Sequence, residues 1–353
     1  MSAHGPRRVE VADVSAWPAR LDARSPAEYA DDHLPDAISV PVLDDDERTL
    51  VGTLHARAGA FEAKKVGAAL VSRRIGDIVD AVARDKPRDW APLVYCWRGG
   101  KRSGALAHVL AEIGFPAGQL SGGYRAWRRH VLARLAELPG RFDLRVICGV
   151  TGSGKSRLLA ALAAEGAQVL DLEALASHRG SLLGDLPGAP QPSQRAFESA
   201  ICAALSSLDA GRPVWVESES RKIGVLQVPD ALLARMRASS CVRVALDTPS
   251  RVALLKEEYG HFLDDPEALC ARLAHLEPLH GARTIERWCA LARERSFDPL
   301  VAALLDAHYD PTYTRAMSKN YVGYPAAATL DPVSIDVAAF RAAARALAGV
   351  PSR

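Results

Sequence analysis

At 353 residues the chain exceeds what one hydrophobic core ordinarily supports, so two domains are expected, with room for an extension. Hydrophobic residues make up 48% and charged residues 24%, which excludes a disordered chain. The 44 basic residues against 42 acidic ones leave a net charge of +2, which excludes coating of nucleic acid by bulk charge but not a local basic face. No apolar run approaches the roughly 18 residues of a membrane span, and the opening MSAHGPRRVEVADV lacks the apolar core of a signal peptide. A soluble, cytoplasmic chain with no membrane partner is expected. Its cysteines (Cys96, Cys148, Cys202, Cys241, Cys270, Cys289) form no CxxC pair and no zinc-type spacing, so reduced, mostly buried thiols and no structural metal are expected.

In chain order, residues 1–138 read as a parallel-sheet α/β domain, with strands over 37–43 and 91–96 and a helix over 61–83. A helix over 124–138 stops at Pro139-Gly140, which marks a boundary. Residues 141–250 form a second α/β pattern. Strands are expected over 144–150, 167–172, 213–217 and 241–246, and helices over 155–164, 194–208 and 231–237. Residues 251–353 read as a mainly helical extension packed on the second domain, with a polar-aromatic stretch over 308–324 and a last helix over 336–347.

The segment Leu93 to Gly104 reads LVYCWRGGKRSG. An apolar strand runs into Cys96, a loop rich in glycine and arginine follows, and a helix opens near Ser103. Successive N–H groups of such a loop, aimed at one point above a helix N-terminus, make an anion cradle. A thiol there has its thiolate stabilised, and Arg98, Lys101 and Arg102 add charge. Gly99 and Gly100 are read as supplying positive φ. A single cysteine is ordinarily a small buried hydrophobe, but this setting assigns Cys96 as a nucleophile.

Gly149 to Ser156 reads GVTGSGKS, matching G-x-x-x-x-G-K-S/T between an apolar strand and a helix. Gly149, Thr151, Gly152, Ser153, Gly154, Lys155 and Ser156 are assigned to a diphosphate, with Lys155 neutralising it and Ser156 able to hold Mg2+. Acids at neighbouring strand ends, Asp171, Glu173, Glu217 and Glu219, are candidates for organising that ion; a helix cap or a surface charge is the competing role for each. No tightly bound cofactor is expected.

The stretch LDARSPAEYADDHLPDAISVPV carries Asp22, Arg24, Glu28, Tyr29, His33, Pro35 and Ala37, and resembles the opening signature of rhodanese domains. LSGGYRAW, with Gly122, Gly123 and Trp127, resembles their final turn. The loop departs from simple sulfur-transfer rhodaneses: Cys96 to Arg102 has the C-x5-R spacing of cysteine-dependent phosphatases, which suits a phosphorylated donor. On that segment alone a phosphatase competes. With the phosphate loop and the strings QVLDLEALASHRGSLLG, QPSQRAFES, VWVESESRKIG and YDPTY, nearly the whole chain resembles the tRNA 2-selenouridine synthase family.

That resemblance implies an α/β fold: a rhodanese-like parallel-sheet domain, then a P-loop NTPase-like domain with a helical C-terminal part. It also implies a transferase acting on wobble 2-thiouridine of certain tRNAs. The thiocarbonyl is first S-geranylated with geranyl diphosphate, and the geranylthio group is then replaced by selenium from selenophosphate. On this chain the phosphate loop would stabilise the leaving diphosphate without ATP hydrolysis. Cys96 would accept selenium and present it, with Arg98, Gly99, Gly100, Lys101 and Arg102 holding the phosphate end. The implied partners are tRNA, geranyl diphosphate, selenophosphate and the synthetase that supplies it. The isoprenoid tail is expected in an apolar pocket of the second domain.

From Arg98 to Arg134 seven basic residues face one acid, Glu112. Arg125, Arg128 and Arg129, with Trp127 among them, suit RNA phosphate contact and base stacking; a solvated helix face is the competing reading. His178, Arg179, Arg221 and Lys222 are further candidates for holding RNA or phosphate. His33 and His108 are read as structural. Two other functions stay open on the sequence: an ATP-dependent rhodanese-type sulfurtransferase acting on RNA or a small molecule, and an RNA- or nucleotide-binding module with an inactive rhodanese domain. Intact Cys96, Arg102 and Lys155 weigh against the second.

Overall fold

Short apolar stretches bounded by turn residues build two parallel sheets, one in each of two units, in a computed structural model that describes residues 5–348. Residues 1–4 and 349–353, the outer ends of the first and last expected domains, lie outside the described residues.

The first unit comprises 5–134 together with Ser193–Ala203. Its strands are β1 (Arg7–Val9), β2 (Ala19–Asp22), β3 (Ala37–Ser39), β4 (Pro92–Tyr95) and β5 (Gly118–Leu120), all parallel, in the order β1-β5-β4-β2-β3. Every residue of the central β4 is buried, as expected for a strand covered on both faces. The helix Ala60–Val82 brings Val71, Ile75 and Ile78 at helical spacing into a core with Leu106 and Leu110 of the helix Lys101–Ile113. Strands β1, β2 and β5 were not expected, and neither was the helix Asp45–Arg57. The strands are three or four residues long, too short for periodicity to register. The helix buries none of its residues; its local mark is the Asp44/Glu47 capping box, where Glu47 N donates to Asp44 Oδ1 at 2.8 Å.

The second domain expected over 141–250 loses Ser193–Ala203 to the first unit. Polar chemistry explains the assignment. Ser199 Oγ and Tyr124 OH both donate to Asp32 Oδ2, at 2.9 and 2.8 Å; Arg195 pairs with Asp31 at 2.7 Å; and Arg128 pairs with Glu198. These partners lie some 70 to 170 positions apart, so no local pattern reveals them. Arg24 is buried beside them, donating to both Asp22 oxygens and standing 4.0 Å over the Tyr124 ring.

In the second unit, β6 (Leu144–Cys148), β7 (Gln168–Leu170) and β8 (Val214–Glu217) precede a small hairpin of β9 (Lys222–Ile223) and β10 (Leu226–Gln227). Two further strands, β11 (Ser240–Val244) and β12 (Ala328–Leu330), complete a parallel sheet ordered β12-β11-β6-β8-β7. The expected helix Lys155–Ala164 follows the phosphate loop and packs against the last helix, Val337–Ala348, through Leu158, Leu162, Phe340 and Ala344. The C-terminal stretch, expected to be mainly helical, also contains a strand, β12, whose short and largely exposed edge position leaves no apolar alternation to read. Residues 248–320 form helices around a separate core that includes the fully buried Trp288. Among the described residues no helix is long and apolar enough to cross a membrane, and all six cysteines are buried without a disulfide.

Candidate functional site

Cys96 stands one residue beyond β4 and is 3% exposed. Ser103 Oγ donates to its sulfur at 3.2 Å. Gln119 of β5 fastens the loop from below, its Nε2 lying 3.0 Å from Gly99 O, 2.9 Å from Gly100 O and 2.9 Å from Ser103 Oγ. Ser103 and Gln119 were not singled out from the sequence. Ser103 sits in the first turn of the helix after the loop, which is a usable signal; Gln119 lies on a strand that has none.

The following helix opens at Lys101, two residues earlier than expected, with Gly100 as its N-cap. Of the two loop glycines only Gly99 takes positive φ, at 64°, whereas Gly100 is at −99°. Gly122 shares that conformation at φ 68°, as does Gly123 at φ 57°. Gly123 lies against the cysteine loop: Tyr124 N donates to Cys96 O at 2.9 Å and Arg125 N to Trp97 O at 3.1 Å. A Cβ on Gly123 would stand 2.1 Å from Cys96 O and 2.4 Å from Gly99 N. Gly123→Ala therefore lowers stability by about 2 kcal/mol or more, from left-handed strain and the backbone clash together. A thermal scan checks it; an unchanged Tm contradicts the close approach.

Arg98 and Lys101 are exposed beside the loop. Arg102 departs from its expected place among the anion-holding residues. Its guanidinium is committed to Glu28, Nη1 to Oε2 at 2.6 Å and Nη2 to Oε1 at 3.3 Å, so it braces the capped helix Pro26–Asp31. Burial pushes the Glu28 carboxyl up, but the bond and charge of Arg102 outweigh it and hold the group below its ordinary range. Arg125 and Arg129, two of the three arginines expected to contact RNA, lie exposed on the helix Gly123–Glu137. Arg128 does not: it is mostly buried against Glu198 and donates to Arg195 O at 3.4 Å.

In the second unit, the loop Gly149–Ser156 joins β6 to its helix, and Glu217 at the end of β8 is in register with Ile147. That neighbouring-strand position explains why an acid at the end of β8 reaches the loop. A cavity of 310 Å³ lies here, lined among others by Gly152, Gly154, Lys155, Ser156, Glu219 and Tyr313. Lys155 Nζ donates to Gly149 O at 3.1 Å and lies 5.8 Å over the Tyr313 ring. The buried Arg251 donates twice to Thr151 O, at 3.0 and 2.8 Å, and is itself held by both Asp310 oxygens at 2.9 and 2.6 Å. Arg251 had no sequence signal; Asp310 falls within the YDPTY string.

Ser156 Oγ reaches Glu217 Oε2 at 3.1 Å and Glu173 Oε2 at 3.3 Å. Oxygens of Glu173, Glu217 and Glu219 lie within 4.8 Å of one another. Burial first, then the neighbouring carboxylates, push all three up to about 8, with Lys155 offsetting only part. The donors fit a hard divalent cation: they are all oxygen, and Glu217 Oε1 is buried without a partner. A raised carboxyl favours the protonated cluster, so its contribution to stability is complete below the ordinary value of 4.5 and is lost as pH rises through about 8. Metal needs the ionised form. Mg2+ or Mn2+ affinity should therefore rise with pH through about 8, with protons released; calorimetry in two buffers of different ionisation heat checks this, and a pH-independent affinity without proton release contradicts it.

The fourth candidate acid, Asp171, lines the same cavity but serves as the N-cap of the helix Leu172–Ala176, accepting from Ala174 N at 2.8 Å. His178 is buried and builds the loop that follows: its Nδ1 accepts from Gly180 N at 3.1 Å and its Nε2 lies 3.4 Å from Asp185. Desolvation holds its pKa below the ordinary value, so it is a neutral part of the cavity wall. Arg179 also lines the cavity, donating to Glu258 O and lying 5.0 Å over Tyr259. Arg221 and Lys222 do not join it; both are exposed near the hairpin, with Arg221 paired to Asp230 at 2.7 Å.

Residues 11–130 match the family model of rhodanese-like domains, and residues 142–272 match the one described as the tRNA 2-selenouridine synthase AAA domain. The chain is 32% identical over 338 residues to the tRNA 2-selenouridine synthase of Hahella chejuensis, a match covering 85% of this chain and 86% of that protein. The chain belongs to the tRNA 2-selenouridine synthase family. A relative in Nitrosomonas eutropha is 32% identical over 292 residues, covering 80% of this chain and 74% of its own length. The Nitrosomonas europaea tRNA 2-selenouridine synthase is 36% identical over 247 residues, covering 68% of this chain but 63% of that relative, less than two thirds of it. The Cys96 loop and the Gly149–Ser156 loop fall in the rhodanese and tRNA 2-selenouridine synthase AAA models respectively. Tyr313, which lines the cavity, and Asp310, which holds Arg251, lie beyond both.

Proposed function

We propose that the protein is a cytoplasmic transferase that converts wobble 2-thiouridine of tRNA to 2-selenouridine in two steps. In the first, the thiocarbonyl sulfur attacks C1 of geranyl diphosphate. The C–S bond forms as the C–O bond breaks, diphosphate leaves with the electron pair, and the uridine N3 proton goes to solvent. Lys155 and the N–H groups of Gly149–Ser156 take up the charge of the leaving diphosphate. No ATP hydrolysis is required.

In the second step, selenium of selenophosphate passes to uridine C2 at the Cys96 loop. The C2–S bond breaks with geranylthiolate leaving, the C2–Se bond forms, and water takes phosphorus from selenium as phosphate. Oxidation states do not change, so no added reductant is needed. The Cys96 thiolate adds to C2 to expel geranylthiolate and then leaves from C2 as selenium enters, so no S–Se bond forms, while the loop N–H groups with Arg98 and Lys101 hold the phosphate end. Arg125 and Arg129 contact tRNA phosphates. No tightly bound cofactor is involved. Bound Mg2+, held by Ser156, Glu173, Glu217 and Glu219, would add positive charge beside the diphosphate.

One observation supports this reading: the chain carries two loops suited to anions, one bearing the buried Cys96 and one bearing Lys155, and the proposed reaction consumes two phosphorus-bearing reagents. The test mixes thiolated tRNA with geranyl diphosphate in the absence of nucleotide. The expected result is one inorganic diphosphate released per S-geranylated tRNA. A strict ATP requirement coupled to sulfur incorporation would instead favour a sulfurtransferase.

A further inference from the structure

Arg251 is buried, and a guanidinium keeps its charge there. Its Nε and Nη2 both donate to a single acceptor, Thr151 O, at 3.0 and 2.8 Å. Nη1 and Nη2 also reach the two Asp310 oxygens, at 2.9 and 2.6 Å. Asp310 balances the charge, and Arg251 is not among the described residues that line the phosphate cavity. A neutral pair outside the cavity adds little attraction for an anion. Its effect falls on the carbonyl it holds.

A peptide group is planar and trans, so its C=O and N–H point in opposite directions. With Thr151 C=O drawn to Arg251, the Gly152 N–H of the same peptide is aimed the other way. Gly152 lines the cavity while Arg251 stands outside it, so this N–H faces the cavity. Gly152 takes φ 73°, and glycine tolerates either sign of φ, so the chain alone does not stop this peptide from turning over. Turned over, it would present a carbonyl oxygen to an anion. The helix Thr248–Glu258 is close enough to govern the choice: a Cβ on Gly152 would stand 2.9 Å from Leu255 Cγ and Cδ1, one turn beyond Arg251.

On the reading that Gly149–Ser156 holds a diphosphate, we propose that Arg251, braced by Asp310, is a positioning residue of that loop. It locks the Thr151–Gly152 peptide with its N–H toward the cavity, as a donor to the diphosphate. The donor then needs no reorientation when charge develops on the leaving group. Asp310 lies 59 positions beyond Arg251, at the start of the helix Asp310–Asn320, so the C-terminal helical part completes the phosphate loop.

Thr151–Gly152 is the only Thr-Gly pair in the sequence. Threonine labelled at its carbonyl carbon and glycine labelled at nitrogen therefore give one NMR correlation, from this peptide. Inorganic diphosphate is titrated into the full chain, and its affinity is measured in parallel by calorimetry. In the native protein the amide proton is expected to move downfield as it donates to diphosphate. Arg251→Met keeps the apolar stem and removes the donors. The downfield shift is lost, and inorganic diphosphate binds about tenfold more weakly or worse, the effect of one hydrogen bond to a charged group. Asp310→Asn, a milder change at a half-buried position, loosens the guanidinium and diminishes the shift. A full shift in either folded variant, or binding with no shift in the native protein, overturns the brace while leaving the loop as a diphosphate site. No binding of diphosphate to the native protein overturns the underlying reading as well.

Discussion

Replacing Cys96 by serine stops selenium incorporation into thiolated tRNA, by about a thousandfold or more, while S-geranylation by the same variant stays within about twofold. The substitution is nearly isosteric at a buried position, and an oxygen can still accept the Ser103 hydroxyl that lies 3.2 Å from the sulfur. The loop's shape is set elsewhere, by the three Gln119 bonds and by the fit of Gly123 against Cys96 O and Gly99 N. Chemistry is lost because a hydroxyl is a far weaker nucleophile than a thiol at neutral pH. Mass spectrometry of the tRNA after each step checks both halves of the expectation. Selenium incorporation by the serine variant at the native rate would remove the thiol from the mechanism.

The opposite selectivity is expected of Lys155→Ala. Its geranylation rate falls by about a hundredfold to a thousandfold, the usual effect of removing one preorganised donor to a developing anion. Selenation of tRNA that has already been geranylated is unaffected. The charge of the lysine pulls down the carboxyls of Glu173, Glu217 and Glu219, which are already pushed up to about 8. Without it they shift further upward. Rates of the two steps, measured separately on the two tRNA substrates, check this. An equal loss in both steps would mean that Lys155 serves something other than the leaving diphosphate.

What the sequence disclosed follows the range of the interactions involved. Strand β4 running into Cys96, the helix after the phosphate loop, and the acids at the ends of β7 and β8 are local patterns, and the structure contains them. The fates of Arg102 and Arg128 were hidden, because each is decided by an acid about 70 positions away. Gln119 and Arg251, which shape the two loops, likewise act across the fold from elements with no motif of their own. Strand β12 was missed for a different reason: three residues on an exposed sheet edge carry neither the length nor the alternation that marks a strand.

The most direct measurement is the mass of the wobble nucleoside after thiolated tRNA is incubated with the protein, first with geranyl diphosphate and then with selenophosphate. The expected sequence is S-geranyl-2-thiouridine after the first addition and 2-selenouridine after the second, with geranylthiol released and no nucleotide present. Selenium entering the nucleoside without geranyl diphosphate, or no change of mass after either addition, contradicts it.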